Sequence, residues 1–159
     1  MLREYLEEKK KIVKDNLKEK LGNYRNKYSE KLADAMEYAV MNGGKRIRPI
    51  LMYMICDLFE KNDSKSYDKI KEIAVALEFI HCYSLVHDDL PAMDNDDYRR
   101  GKLTVHKKYN EAIGVLVGDV LLTEAFGVVA SAKNLEDKSK VQIISKLSEY
   151  AGFFGMVGG

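Results

Sequence analysis

The sequence predicts an all-α protein, and three observations carry that expectation. Apolar residues recur at spacings of three, four and seven along most of the 159 residues. Only two prolines occur, Pro49 and Pro91, and each sits where a helix can start or stop. Alternating apolar and polar runs of strand length are nearly absent. The chain is 46% hydrophobic and 32% charged, which suits one soluble domain with a core of its own.

The elements follow in order. Leu2, Leu6, Val13, Leu17 and Leu21 form one stripe on a charged first helix, which Gly22-Asn23 ends. Leu32, Met36, Ala39 and Val40 mark a second helix, stopped at Asn42-Gly43-Gly44. Pro49 fits the first turn of a third helix, about Arg48 to Phe59. Lys61 to Ser66 reads as a polar loop. A long helix follows, roughly Asp68 to Asp89. It is apolar on several sides, which predicts a central position, and Pro91 ends or kinks it. Leu90 to Thr104 reads as a polar loop, Ile113 to Ala130 as a mostly apolar helix, and Lys138 to about Phe154 as an amphipathic one. The apolar stretch Ala112 to Ala132 contains Asp119 and Glu124, which favours a bundle helix over a membrane span. Gly152 to Gly159 is small and apolar, and reads either as a frayed tail or as a chain that stops inside a larger fold.

Charge and cysteines set limits on function. The net charge of +1 gives no reason to expect nucleic acid as a partner, or a stable membrane association. Cys56 and Cys82 lie in apolar helical patterns and form no CxxC pair. They read as buried thiols of a reducing, cytoplasmic compartment rather than metal ligands.

Charge is concentrated locally instead. Five aspartates fall within ten residues, Asp88 to Asp97, with Arg99 and Arg100 behind them. The run begins inside an apolar helix, so Asp88 and Asp89 are expected to face a cleft. Asp94 lies past the Pro91 turn and can fold back towards Asp88. Carboxylates so crowded suit hard divalent cations such as Mg²⁺, and arginines beside them suit a phosphate. His81, Ser84 or Leu85, and Asp88 share one helix face, with His81 about 10 Å below Asp88. Read alone, a histidine such as His81 is more often a satisfied core residue than a ligand contact. Gly43-Gly44-Lys45-Arg46-Ile47-Arg48-Pro49 is a second anion candidate. Its glycines admit close approach, and Lys45 and Arg48 stand three apart at a helix start. Arg46 is expected to be a solvated charge.

Together these segments resemble the trans-isoprenyl diphosphate synthases, the polyprenyl synthetase family. The region 43–49 is similar to that family's first conserved segment. Asp88-Asp89, Asp94 and Arg99-Arg100-Gly101 are similar to its first aspartate-rich motif. The resemblance implies an all-α, isoprenoid-synthase-type bundle around a central cavity, acting as a homodimer. It implies Asp88 and Asp94 as ligands of two or three Mg²⁺ ions (or Mn²⁺), with Asp89 a further ligand or a neighbouring carboxylate. Asp88, Asp94 and Arg99 would be the catalytic set. Arg99 would hold an allylic diphosphate, and Lys45, Arg48, His81 and Arg100 would hold isopentenyl diphosphate.

The implied reaction joins dimethylallyl or geranyl diphosphate to isopentenyl diphosphate, giving farnesyl diphosphate and diphosphate. Product length would be set by Tyr83 and Ser84. Tyr83 lies five residues before Asp88, about 7–8 Å down the helix. An aromatic there resembles the bacterial farnesyl diphosphate synthases, although Tyr83 also reads as a packed core residue. A floor near Ile80 or Leu77 would give the geranylgeranyl product instead. The family's second aspartate-rich motif, its Lys-Thr pair and a Gln after Gly158-Gly159 have no counterpart here. Residues 1–159 therefore resemble the N-terminal half of one prenyltransferase domain, with impaired activity expected alone. A non-catalytic subunit that modulates a partner synthase is a second reading. A diphosphate-ionising cyclase is a third, but it has no need of Lys45, Arg48 and His81.

Overall fold

The computed structural model describes residues 1–60 and 64–159. Among these the chain forms seven α-helices and one minimal β-hairpin. The helices are α1 (Leu2–Gly22), α2 (Glu30–Met41), α3 (Ile47–Glu60), α4 (Ser64–Asp88), α5 (Val105–Lys108), α6 (Glu111–Ala130) and α7 (Asp137–Ala151). The hairpin pairs β1 (Tyr98–Arg99) with β2 (Lys102–Leu103).

Local chemistry sets the helix starts. The Ser29 hydroxyl accepts the Leu32 N–H at 3.3 Å and caps α2. The Asn110 side chain accepts the Ile113 N–H at 2.8 Å and caps α6. The predicted stripe of α1 is buried at Val13, Leu17 and Leu21, and Lys9 is buried with it. That ammonium stays charged because the Tyr67 hydroxyl at 2.5 Å and the Asp57 carboxylate at 3.2 Å replace its water.

As predicted, α4 is central. Ala74, Val75, Ala76, Phe79, Cys82, Tyr83 and Val86 are buried on it, and α1, α2, α3 and α6 all pack against it. Its closest neighbour is α6, through two glycines. A Cβ at Gly118 would lie 2.0 Å from His87 Nε2, and one at Gly114 would lie 2.9 Å from Leu90 Cδ2. By length and composition α6 is apolar enough to cross a membrane. Here Val117, Leu121, Ala125, Val128 and Val129 are buried in the bundle, while Val115 and Leu116 are exposed.

Several predicted boundaries change. Of the polar loop read at Lys61 to Ser66, residues 61–63 lie outside the described residues. Ser64 to Ser66 already belong to α4, four residues ahead of its expected start. The loop read at Leu90 to Thr104 contains the hairpin, and α5 was not predicted at all. Strands of two residues and a helix of four are too short to show any periodicity. The last helix ends at Ala151, and the residues after it form turns. Both cysteines are buried, and burial pushes Cys82 up to about 12. Ile47, Leu51, Ile55, Leu58 and Phe59 leave an exposed apolar stripe along α3.

Candidate functional site

The acidic end of the site is built where α4 stops. Asp88 is its last residue. The Leu90 carbonyl accepts the N–H groups of Met93 and Asn95, and Asn95 takes a left-handed φ of 54°. This tight turn lets the Asp94 N–H donate to the Asp88 carbonyl at 2.8 Å. The loop therefore folds back, as the sequence predicted. Asp88 is half-buried and Asp94 is exposed. Among the described residues no side-chain cation or donor engages either carboxylate, although Arg99 holds Asp89 and Asp96, and Lys107 holds Asp97, nearby. An all-oxygen pair without a protein counter-charge fits Mg²⁺, which commonly takes one or two carboxylates and completes its shell with water and phosphate oxygens. No group of three potential protein ligands converges among the described residues, so this is not a closed cage.

Of the two roles expected for Asp89, a further ligand or a neighbouring carboxylate, the geometry suits the second. Asp89 is buried, and its two oxygens accept from Arg99 Nε at 2.8 and 3.0 Å, with Arg99 Nη2 at 2.6 Å. A carboxylate committed to a guanidinium fork has little to offer a cation. Asp89 instead holds Arg99, whose own proton affinity rises from that hydrogen bond. Asp96 stands 3.7 Å from Nη2 and steadies the same arginine.

The hairpin sends the next arginine elsewhere. Arg100 and Gly101 have φ of 54° and 77°, the positive pair that a two-residue hairpin turn demands. Arg100 Nη1 donates to the Gly43 carbonyl at 2.8 Å. Its guanidinium lies against Gly44, where a Cβ would meet Nη1 at 2.4 Å. Gly43 and Gly44 also hold φ of 84° and 109°, so the glycine pair is required by both backbone shape and close approach.

Around this junction is a pocket of ≈ 650 Å³ lined by Lys45, Arg48, His81 and Arg100. The four residues that the sequence assigned to one diphosphate thus come together from α3, α4 and two loops. Lys102 and Glu78 line it too, and sequence reasoning missed both. Lys102 was legible in principle, because Arg-Gly is a usable hairpin turn and the residue after it is then fixed.

Arg46 is not the solvated charge expected. Its side chain is fully buried, donating to Glu78 Oε1 and to the Val40 carbonyl, both at 2.5 Å. Burial first, and then the Arg48 charge, push the His81 pKa below its ordinary value. His81 is therefore neutral near pH 7. Below about pH 6.5 the unfolded chain binds this proton more readily than the folded one. Its contribution to stability is then present above that pH and lost as pH falls towards the depressed value. We expect the His81 imidazole to titrate below the ordinary range by NMR. His81→Gln should flatten the fall in unfolding free energy on acidification, and an unchanged slope would refute this.

Beside the basic pocket runs an apolar groove of ≈ 420 Å³ between α4 and α7. Leu77 and Ile80 line it with Ile143, Leu147, Tyr150 and Met156, and Arg48 and His81 belong to both cavities. Tyr83 takes the packed-core alternative. It is 5% exposed and meets the His87 ring edge-on at 5.9 Å. The Ser84 hydroxyl turns back onto the His81 carbonyl at 3.0 Å.

Comparison with known proteins fits this geometry. The chain is 46% identical over 143 residues to the farnesyl diphosphate synthase of Micrococcus luteus, covering 90% of this chain and 47% of that one. It is 41% identical over 156 residues to the geranylgeranyl diphosphate synthase of Cyanophora paradoxa, covering 98% and 50%. The crystal structure of a geranyltransferase from Legionella pneumophila superposes with a TM-score of 0.90 at 39% identity, over 98% of this chain and 54% of that one. The chain thus spans about half the length of the relatives it matches. The Polyprenyl synthetase profile matches residues 29–152, most of the chain, and the chain belongs to that family.

Proposed function

We propose that this chain carries one wall of an Mg²⁺-dependent prenyl-elongation site, which joins an allylic diphosphate to isopentenyl diphosphate and makes farnesyl diphosphate. The observation that supports this best is the convergence of Lys45, Arg48, His81 and Arg100 on one pocket that shares Arg48 and His81 with an apolar groove. A charged head and a hydrocarbon tail on one substrate need that adjacency.

Asp88 and Asp94 would hold the metal, which when bound offsets the charge of the departing diphosphate. Arg99, aimed by Asp89, would bind the allylic diphosphate beside them. Lys45, Arg48 and Arg100 would fix the second diphosphate and so place its alkene near the reacting carbon. Neutral His81 would donate one hydrogen bond to it. Apolar residues of α4 and α7 would keep the cationic carbon away from water. We read the protein as cytoplasmic and as a homodimer. A specific observation favours a second product: the groove is lined by Leu77 and Ile80, while Tyr83 is packed elsewhere, which suits a geranylgeranyl chain.

The test supplies dimethylallyl, geranyl and isopentenyl diphosphates with Mg²⁺, and weighs the products by mass spectrometry. It uses the chain alone and the chain joined to the remaining sequence of the Micrococcus luteus relative. A fifteen-carbon diphosphate is the expected product, and one of twenty carbons would select the second reading. Tyr83→Ala should lengthen the product if Tyr83 is the floor, whereas Ile80→Phe should shorten it if the floor lies lower. Unchanged substrates in both forms would sink the catalytic reading. They would leave the modulating-subunit reading, checked by adding the chain to a partner synthase.

A further inference from the structure

We propose that Lys102 is a substrate-binding residue of the basic pocket, a further cation for the same diphosphate as Lys45, Arg48 and Arg100. The inference rests on the diphosphate reading of that pocket and adds a residue to it.

Lys102 is the first residue after the Arg100-Gly101 turn and lines the pocket together with Arg100. The turn is rigid, with both φ values positive, and Arg100 fastens it to the Gly43 carbonyl. Below, the Thr104 N–H and hydroxyl donate to the Asp97 and Asp96 carbonyls at 3.0 and 2.8 Å. The backbone of Lys102 is thus held at the rim from both sides.

Lys102 stands opposite Arg99 across the two-residue ladder, a like-charge juxtaposition. Arg99 is neutralised by Asp89, and Lys107 by Asp97 at 2.8 Å. Among the described residues Lys102 has no carboxylate within ion-pair distance, nor do Lys45, Arg48 and Arg100. Glu78, a carboxylate in the pocket lining, is committed to Arg46. Four uncompensated cations on one cavity repel each other, and a multiply charged anion relieves all of them together. An orthophosphate can meet fewer of them than a diphosphate. Lys102 is therefore expected to favour diphosphate over monophosphate.

The test is calorimetric titration of the chain with inorganic pyrophosphate and with orthophosphate, in chelator so that Asp88 and Asp94 are not involved. Lys102→Ala should weaken pyrophosphate binding about tenfold, the scale of one charge-assisted contact. It should weaken orthophosphate binding less, and Lys102→Glu should weaken pyrophosphate binding further. Lys31→Glu, an equal change of charge on the exposed start of α2, should have little effect. If Lys102→Glu binds as wild type while Arg48→Ala loses binding, the pocket reading stands and the role of Lys102 is overturned. If Lys31→Glu weakens binding as much as Lys102→Glu, the effect is long-range and the contact is overturned. If the wild-type chain binds no pyrophosphate, the pocket reading fails and this inference fails with it.

Discussion

Replacing Asp88 or Asp94 with alanine is expected to lower prenyl transfer by about 10³-fold or more, the scale of several kcal/mol of lost charge stabilisation in the transition state. The two carboxylates are brought to one end of α4 by the Asp94 N–H to Asp88 carbonyl bond. That contact is between backbones, so truncating either side chain leaves the turn intact. The loss should therefore appear without a loss of stability. A second readout separates the metal role from a general effect. Pyrophosphate binding in chelator, proposed for Lys45, Arg48 and Arg100, should be unchanged in both variants. The gain in affinity on adding Mg²⁺ should vanish in both. Asp89→Asn is the contrast. It removes the carboxylate that orients Arg99, so it should impair turnover through allylic diphosphate binding while the Mg²⁺ effect persists. Wild-type turnover by Asp88→Ala, or an undiminished Mg²⁺ effect, would overturn the assignment.

That contrast also shows what the sequence could convey. Asp88, Asp89 and Asp94 are the same residue type within seven positions, and composition treats them alike. Only direction separates them: Asp89 turns inward to Arg99, whereas among the described residues Asp88 and Asp94 have no ion-pair partner. Helix periods exposed α1 to α4, α6 and α7 because long apolar patterns repeat their signal many times. The hairpin at 98–103 repeats nothing, and only its Arg-Gly turn could have marked it. Tyr83 illustrates a similar limit. The helix repeat places His87 beside it, four residues on, but that His87 is seated over Gly118 of α6, 31 positions further along the chain, follows only from the packing. Convergence of Lys45, Arg48, His81 and Arg100 was legible only through the family resemblance. No periodic rule brings the start of α3, the middle of α4 and the hairpin together.

Removing one partner of the Arg46–Glu78 pair is expected to destabilise the fold by about 3–5 kcal/mol, the usual consequence of leaving a buried charge alone. Both residues are almost wholly inaccessible, and the pair ties the loop before α3 to the middle of α4. Arg46→Leu strands the Glu78 carboxylate and also frees the Val40 carbonyl at the end of α2. Glu78→Leu strands the guanidinium. The double variant Arg46→Met/Glu78→Leu should recover most of the loss, because a buried pair rarely exceeds well-packed apolar groups in net stability. The pair is also imperfect, since Arg46 Nε is buried without a partner. Urea unfolding of the three variants checks this, and single substitutions costing under about 1 kcal/mol would contradict it. The double variant then separates stability from function. Lys45 and Arg48 flank Arg46 in the chain, and the Arg46 side chain anchors the segment that displays them through Glu78 and Val40. A refolded double variant should therefore bind pyrophosphate more weakly than wild type despite its restored stability. Equal binding would mean that the glycine pair and the Arg100–Gly43 bond suffice to hold the pocket open.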